Sequence, residues 1–174
     1  PLPADRSQWP TVDVFIPTYS EDVEIVRLTA LAATQVDYPR DRFRVYILDD
    51  GGTLAKRNDP ARGEEAWRRR LQLKEVARSL GVEYLTRETN RHAKAGNLNH
   101  GLSHSRADFV AVFDADHIAQ PHALDVLLGL MQDENVAMVQ TPQDYYNTDA
   151  FQYLSPRRKA GLWHDQSYFY NLAQ

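Results

Sequence analysis

Short apolar runs alternate with amphipathic segments along this chain, and that alternation restricts its fold more than any other feature. Val12-Asp13-Val14-Phe15-Ile16-Pro17 is β-branched and aromatic and ends in proline, the pattern of a strand. Val23 to Gln35 carries Ile25, Val26, Ala30 and Ala33 at helical spacing, with Asp22 placed to cap it. Tyr38-Pro39 stops the helix, and Phe43-Arg44-Val45-Tyr46-Ile47-Leu48 is a second strand. Leu54 to Gly63 is polar and holds Pro60, so an exposed loop is expected. Glu64 to Leu80 is helical with Leu73, Val76, Ala77 and Leu80 on one face, and Gly81 stands at its C-terminal cap. Val82 to Thr86 is a third strand. Ala95 to Ser105 is a helix with Ala95, Leu98 and Leu102 facing inward. Phe109 to Phe113 is a near-continuous apolar strand, expected to be buried on both faces. Leu124, Leu127, Leu128 and Met131 mark a last helix, and Val136 to Val139 a fifth strand. Strands and helices in this order predict an α/β fold with a mostly parallel sheet and helices on both faces.

Beyond Pro142 the pattern changes. Tyr145, Tyr146, Phe151, Tyr153, Trp163, Tyr168, Phe169 and Tyr170 crowd the end of the chain. They suit either a helix folding back on the sheet or a surface for a further segment. We therefore divide the chain into 1–142 and 143–174.

Composition excludes several classes. Lys and Arg number 20 against 24 Asp and Glu, a formal charge of -4, so no nucleic-acid surface is implied. No apolar run approaches the roughly 20 residues that span a bilayer, and the Pro-rich, polar start is not a signal peptide. There are no cysteines, hence no disulfide, thiolate zinc site or cysteine nucleophile. A chain beginning at Pro1 rather than Met is expected to derive from a longer protein. No Gly-x-Ser-x-Gly elbow and no Gly-x-Gly-x-x-Gly turn occurs, which disfavours a hydrolase and a dinucleotide enzyme.

Ligands of open α/β sheets bind outside the carboxyl ends of the strands. Thr18-Tyr19-Ser20-Glu21, Asp49-Asp50-Gly51-Gly52 and Asp114-Ala115-Asp116-His117 follow the first, second and fourth strands. Asp114 and Asp116 lie two apart, and paired carboxylates repel unless a cation sits between them. Such an oxygen-rich site suits Mg²⁺, and a nitrogen from His117 tilts it toward Mn²⁺. The apolar strand before and the histidine after favour metal binding over a plain solvated turn. Asp49-Asp50 is either a turn signal or an acceptor for nucleobase and ribose donors. Thr18 and Tyr19 could line the same pocket through a hydroxyl and a ring face. Lys94 precedes a helix start, where amides and the helix dipole favour anions such as diphosphate. Against that stands the ordinary fate of a lysine, a solvated loop. His92 reads as a surface or packing residue rather than a ligand. Arg68-Arg69-Arg70 reads as a solvated helix face with Glu64 and Glu65 one turn earlier, and is given no function.

Taken together, five segments resemble the processive members of glycosyltransferase family 2, and among them bacterial cellulose synthase catalytic subunits. They are Phe15-Ile16-Pro17-Thr18-Tyr19-Ser20-Glu21, Asp49 to Thr53, His92-Ala93-Lys94-Ala95-Gly96-Asn97-Leu98-Asn99, Phe113 to His117, and Val139-Gln140-Thr141-Pro142. Ser20 stands where the family usually has asparagine. The resemblance implies a GT-A (Rossmann-like) fold, truncated before the acceptor half. It implies a UDP-glucose donor, a divalent metal, and inverting transfer to a growing β-1,4-glucan acceptor. On that resemblance Thr18, Tyr19, Glu21 and Asp50 hold the uridine, Lys94 steadies the diphosphate, and Asp114 contacts the donor. Asp116 and His117 bind the metal, and Asp50 and Asp114 are the catalytic candidates.

The family's Thr-Glu-Asp and Gln-x-x-Arg-Trp acceptor motifs do not occur in this sequence. The resemblance thus also implies a remainder of the synthase that includes transmembrane helices, with this part, itself soluble, on the cytoplasmic face of a bacterial inner membrane. Two other readings stay open: a synthase using UDP-N-acetylglucosamine, and a non-catalytic nucleotide-sugar-binding module.

Overall fold

Strand β1 (Val12–Thr18) is buried at every residue, because it has a neighbour on each side and helices above and below. The computed structural model describes residues 2–141. Strand β2 (Phe43–Asp49) pairs in parallel with β1 along its whole length, from Val12 opposite Phe43 to Thr18 opposite Asp49. Strand β3 (Glu83–Leu85) pairs with β2, and β4 (Phe109–Val112) pairs with the first half of β1, both in parallel. The order is β3-β2-β1-β4.

Alternation along the strands makes two cores. Val12, Val14, Ile16, Val45 and Ile47 face α1 (Val23–Thr34), α3 (Gly63–Leu80) and α5 (Ala123–Leu130). Phe15, Tyr46 and Leu48 face the other way, against α4 (Ala93–His104). The split follows from the order. The chain steps outward from β1 to β3, then returns past β1 to β4. Right-handed crossovers in opposite directions put their helices on opposite faces. Asp22 caps α1 by accepting from the Glu24 N–H at 2.7 Å, and Gly81 ends α3 at φ 67°.

Four expectations need correction. Leu54 to Gly63 is not all loop: Leu54–Arg57 forms a one-turn helix, α2, capped by the Thr53 hydroxyl. Its first amides donate to Arg87 O and Glu88 O, a tertiary anchor that local composition does not show. On α4 the inward positions are Asn97 and Gly101, with Leu98 partly buried, whereas Ala95 and Leu102 are exposed. The helix lies so near the sheet that a Cβ on Gly101 would sit 2.8 Å from Leu48 Cδ1 and 3.0 Å from Phe15 Cε2. Strand β4 is only partly buried, since among the described residues it forms a sheet edge. Val136 to Val139 forms no strand.

The chain divides into two units after Asp133, and residues 134–141 of the second hold neither helix nor strand. The expected division at 142–143 and the aromatic tail lie outside the described residues. Among the described residues no helix is long and apolar enough to cross a membrane.

Candidate functional site

The strand order turns back between β1 and β4, and the crevice that open α/β sheets use for ligands lies outside the carboxyl ends of these two strands. The loop after β1 is organised by one carboxylate. Glu21 Oε2 accepts from the Thr18 hydroxyl at 2.7 Å, the Tyr19 N–H at 2.7 Å and the Ser20 N–H at 3.1 Å. Burial pushes the Glu21 carboxyl up, but these donated bonds outweigh it and leave the group below its ordinary range. Tyr19 keeps its ring at the surface, with Lys56 Nζ 3.4 Å from the ring centroid.

The two carboxylates after β2 have separate tasks. Asp49 is fully buried. It accepts from the Gly51 N–H at 2.8 Å, Arg69 Nε at 3.2 Å and the Tyr84 hydroxyl at 2.8 Å. Burial, with the Asp49 charge beside it, pushes the Tyr84 hydroxyl pKa up. Asp50 meets Arg87 as a two-pronged pair, Nε to Oδ1 at 2.7 Å and Nη2 to Oδ2 at 2.6 Å. Neither following residue leaves room for a side chain. A Cβ on Gly51 would lie 2.3 Å from Tyr19 O, and one on Gly52 2.5 Å from Asp49 Oδ2.

The segment entering α4 is unusual in its backbone. His92 (φ 61°) and Ala93 (φ 44°) are both left-handed without being glycine. Arg87 holds this turn from inside, donating to Arg91 O at 2.6 Å and Ala93 O at 2.9 Å. Lys94 then reaches from the first turn of α4 to Asp114, forming an ion pair across the crevice. After β4, the His117 N–H bonds to Asp114 O at 2.9 Å, and the Thr29 hydroxyl anchors Ala115 O at 2.6 Å. That turn leaves Asp116 exposed and His117 half-buried, with His117 Nε2 3.7 Å from Asp116 Oδ1.

The structure thus brings Thr18, Tyr19 and Glu21 together in one loop, and Lys94 to Asp114 across the crevice. Asp50 faces Arg87 rather than that loop's side chains. Among the described residues no three His, Asp or Glu side chains cluster as a metal cage. Asp116 and His117 supply one oxygen and one nitrogen donor. That set fits a cation that completes its shell with waters and substrate phosphate oxygens.

Two arginines escaped the sequence reading, and one correction follows. Arg69 is not a solvated residue. Its side chain is 14% exposed and binds Thr18 Oγ1 at 2.7 Å, Glu21 O at 2.5 Å and Asp49 Oδ1. The buried stripe of α3 runs through Ala66, Leu73 and Val76, and position 69 lies on it, so the spacing did hold the signal. Arg70 likewise has a buried Nε, while Arg68 remains at the surface, bonded to Glu64. Nothing local marked Arg87.

Residues 13–173 match the model of one protein family, Glycosyl transferase family 2. The chain belongs to that family. Its relatives include a cellulose synthase 1 catalytic subunit of Komagataeibacter xylinus, named as UDP-forming. It is 43% identical over 87% of this chain and 18% of its own length. A UDP-forming cellulose synthase catalytic subunit of Pseudomonas fluorescens is 42% identical over the same shares. A putative cellulose synthase 2 of Komagataeibacter xylinus is 41% identical over the whole chain and 10% of its own length. This chain therefore spans less than a fifth of these family members. Among solved structures, a Pyrobaculum calidifontis mannosyltransferase in complex with GDP-Man and Mn²⁺ aligns with TM-score 0.56 at 26% identity. It covers 82% of this chain and 39% of that one. Staphylococcus aureus TarS in complex with UDP aligns at TM-score 0.52 and 20% identity over 76% of this chain and 38% of that one, which bears on the fold alone. The parallel sheet with helices on both faces is the GT-A arrangement expected of the family.

Proposed function

We propose that this chain is the donor-binding part of a cellulose synthase. It would take UDP-glucose and serve inverting transfer of glucose to a growing β-1,4-glucan. The observation that carries the reading is the Lys94–Asp114 pair. It ties the cationic helix start to the acidic loop after β4, so anion-binding and cation-binding groups share one crevice. The naming of relatives as UDP-forming cellulose synthases supports the choice of nucleotide and polymer.

In this reading the uridine lies over the Tyr19 ring, with the Thr18 to Glu21 loop and Asp50 around it. Lys94 and the positive end of the α4 dipole face the diphosphate. Asp116 and His117 would hold Mg²⁺ or Mn²⁺. Such a cation neutralises charge on the departing diphosphate and so makes UDP a better leaving group. Asp114, held by Lys94, faces the sugar end of the donor. The acceptor glucan and its base belong to other parts of a synthase whose transmembrane helices cross a bacterial inner membrane, with the donor-binding part on the cytoplasmic face.

Calorimetry of UDP with Mg²⁺ and with chelator tests the reading. UDP should bind more tightly with the metal, and Asp116→Asn should remove the difference. Equal affinity in both conditions for the unsubstituted chain would overturn the metal assignment.

A further inference from the structure

Arg87 links two clusters that the functional reading treats separately. It follows β3, and its side chain is 11% exposed. Two of its bonds go to Asp50, at the nucleoside end of the crevice. The other two go to Arg91 O and Ala93 O, the carbonyls on either side of His92. Both His92 and Ala93 adopt the left-handed backbone that a Cβ disfavours. Such a conformation persists only where the surroundings over-determine it. Besides Arg87, this turn is held by the Ala93 N–H to Asn90 O and the Gly96 N–H to His92 O. A Cβ on Gly96 would lie 2.1 Å from Arg91 O, so α4 begins directly beneath the turn. The next residue, Lys94, makes the ion pair with Asp114.

We propose that Arg87 is a positioning residue that fixes the entry of α4, and with it Lys94, to the Asp50 loop. One side chain then sets the distance between the nucleoside and diphosphate ends of the pocket. This rests on the donor-binding reading above. The competing role is simpler: Arg87 would be only a counter-ion that makes burial of Asp50 tolerable. The two roles differ in what happens when both charges are removed. A counter-ion is not missed once Asp50 is neutral. A brace on Arg91 O and Ala93 O is.

The experiment measures inorganic diphosphate and uridine separately by calorimetry in Mg²⁺. The variants are Asp50→Asn, Arg87→Lys and the double Asp50→Asn/Arg87→Gln. The amide spectrum of each is compared with the unsubstituted chain to establish its fold. Arg87→Lys keeps the charge beside Asp50, but one ammonium cannot serve both Asp50 oxygens and both carbonyls. Asp50→Asn should weaken uridine and leave diphosphate within about twofold. Arg87→Lys and the double variant should each weaken diphosphate by at least about tenfold. In both, the coupling between the amide and α protons of Ala93, which reports its φ, should change. Diphosphate binding within about twofold of the unsubstituted chain in the double variant would reduce Arg87 to a counter-ion and overturn the proposal. If the unsubstituted chain binds neither probe, the donor-binding reading itself falls. If it binds both and the Arg87 variants match it, only the Arg87 inference falls.

Discussion

Asp49 and Asp50 are neighbours in sequence, yet their surroundings give them different work. Asp49 has no exposure and satisfies Gly51, Arg69 and Tyr84 at once. Its removal strands Arg69, whose charge is also largely buried. Breaking a buried pair by deleting one partner costs about 3–5 kcal/mol. Asp49→Ala should therefore lower the unfolding free energy by about that amount in urea titration. An effect below about 1 kcal/mol, the scale of an exposed pair, would show that water replaces the carboxylate. Glu21 makes a pH-dependent contribution. Its folded-state pKa is lowered, so the folded carboxylate is favoured over the unfolded one. The stabilisation is present in full above the ordinary glutamate value, about 4.3. It is lost as pH falls through the lowered folded value. Comparing the chain with Glu21→Gln across this range should show an advantage near neutrality that shrinks in acid. An advantage that grows in acid would contradict the assigned hydrogen bonds.

Among the elements, α4 and α5 each carry a glycine, in opposite situations. A Cβ on Gly101 of α4 would meet Leu48 and Phe15 within 3.2 Å, whereas one on Gly129 of α5 meets nothing within 4 Å. Alanine gains about 1 kcal/mol over glycine in a helix interior. Overpacking a tight contact costs about 1–3 kcal/mol. Gly129→Ala should thus stabilise by up to about 1 kcal/mol, and Gly101→Ala should destabilise or break even. Gly101→Val, with more volume and a poorer helix former, should be clearly worse. Denaturant midpoints of the three variants give the order directly. Equal signs at the two glycines would mean that α4 lies farther from the sheet than the contacts state.

For the molecule as a whole, the strand order decides where chemistry can occur. The turn-back between β3 and β4 is what sets Lys94, arriving on one face, beside Asp114, arriving from the sheet. On the proposed reading, that geometry serves a donor. The acceptor motifs that the family resemblance implies are not in this sequence. Displacing UDP needs an oriented acceptor and a base, and a positioned base alone contributes roughly 10²–10⁴-fold. The 174-residue chain, given UDP-glucose and a cello-oligosaccharide, is expected to release UDP slowly and to lengthen no oligosaccharide. Chromatography of radiolabelled product would read this. Elongation would mean that carboxylates assigned to the donor do acceptor chemistry.

The sequence by itself determined the alternation of strands and helices, the caps at Asp22 and Gly81, and the clusters at strand ends. Each of these depends on residues within a few positions of one another. The period of the side chains and the backbone freedom of glycine are local properties. It also carried, in five short segments, enough resemblance to imply the family. Only the tertiary structure decided which partners those clusters take. Arg69 lies 20 residues from Asp49 and 51 from Thr18, and Arg87 lies 37 from Asp50. A triple of arginines on one helix reads as solvated until the helix is docked and its stripe is seen to include position 69. The inward face of α4 is hidden from local spacing for a related reason. Leu102 and Ala95 look like core, but the close approach at Gly101 rotates the buried face toward Asn97, which donates to Leu48 O at 2.7 Å. Such choices depend on distances between elements, and no local spacing encodes them.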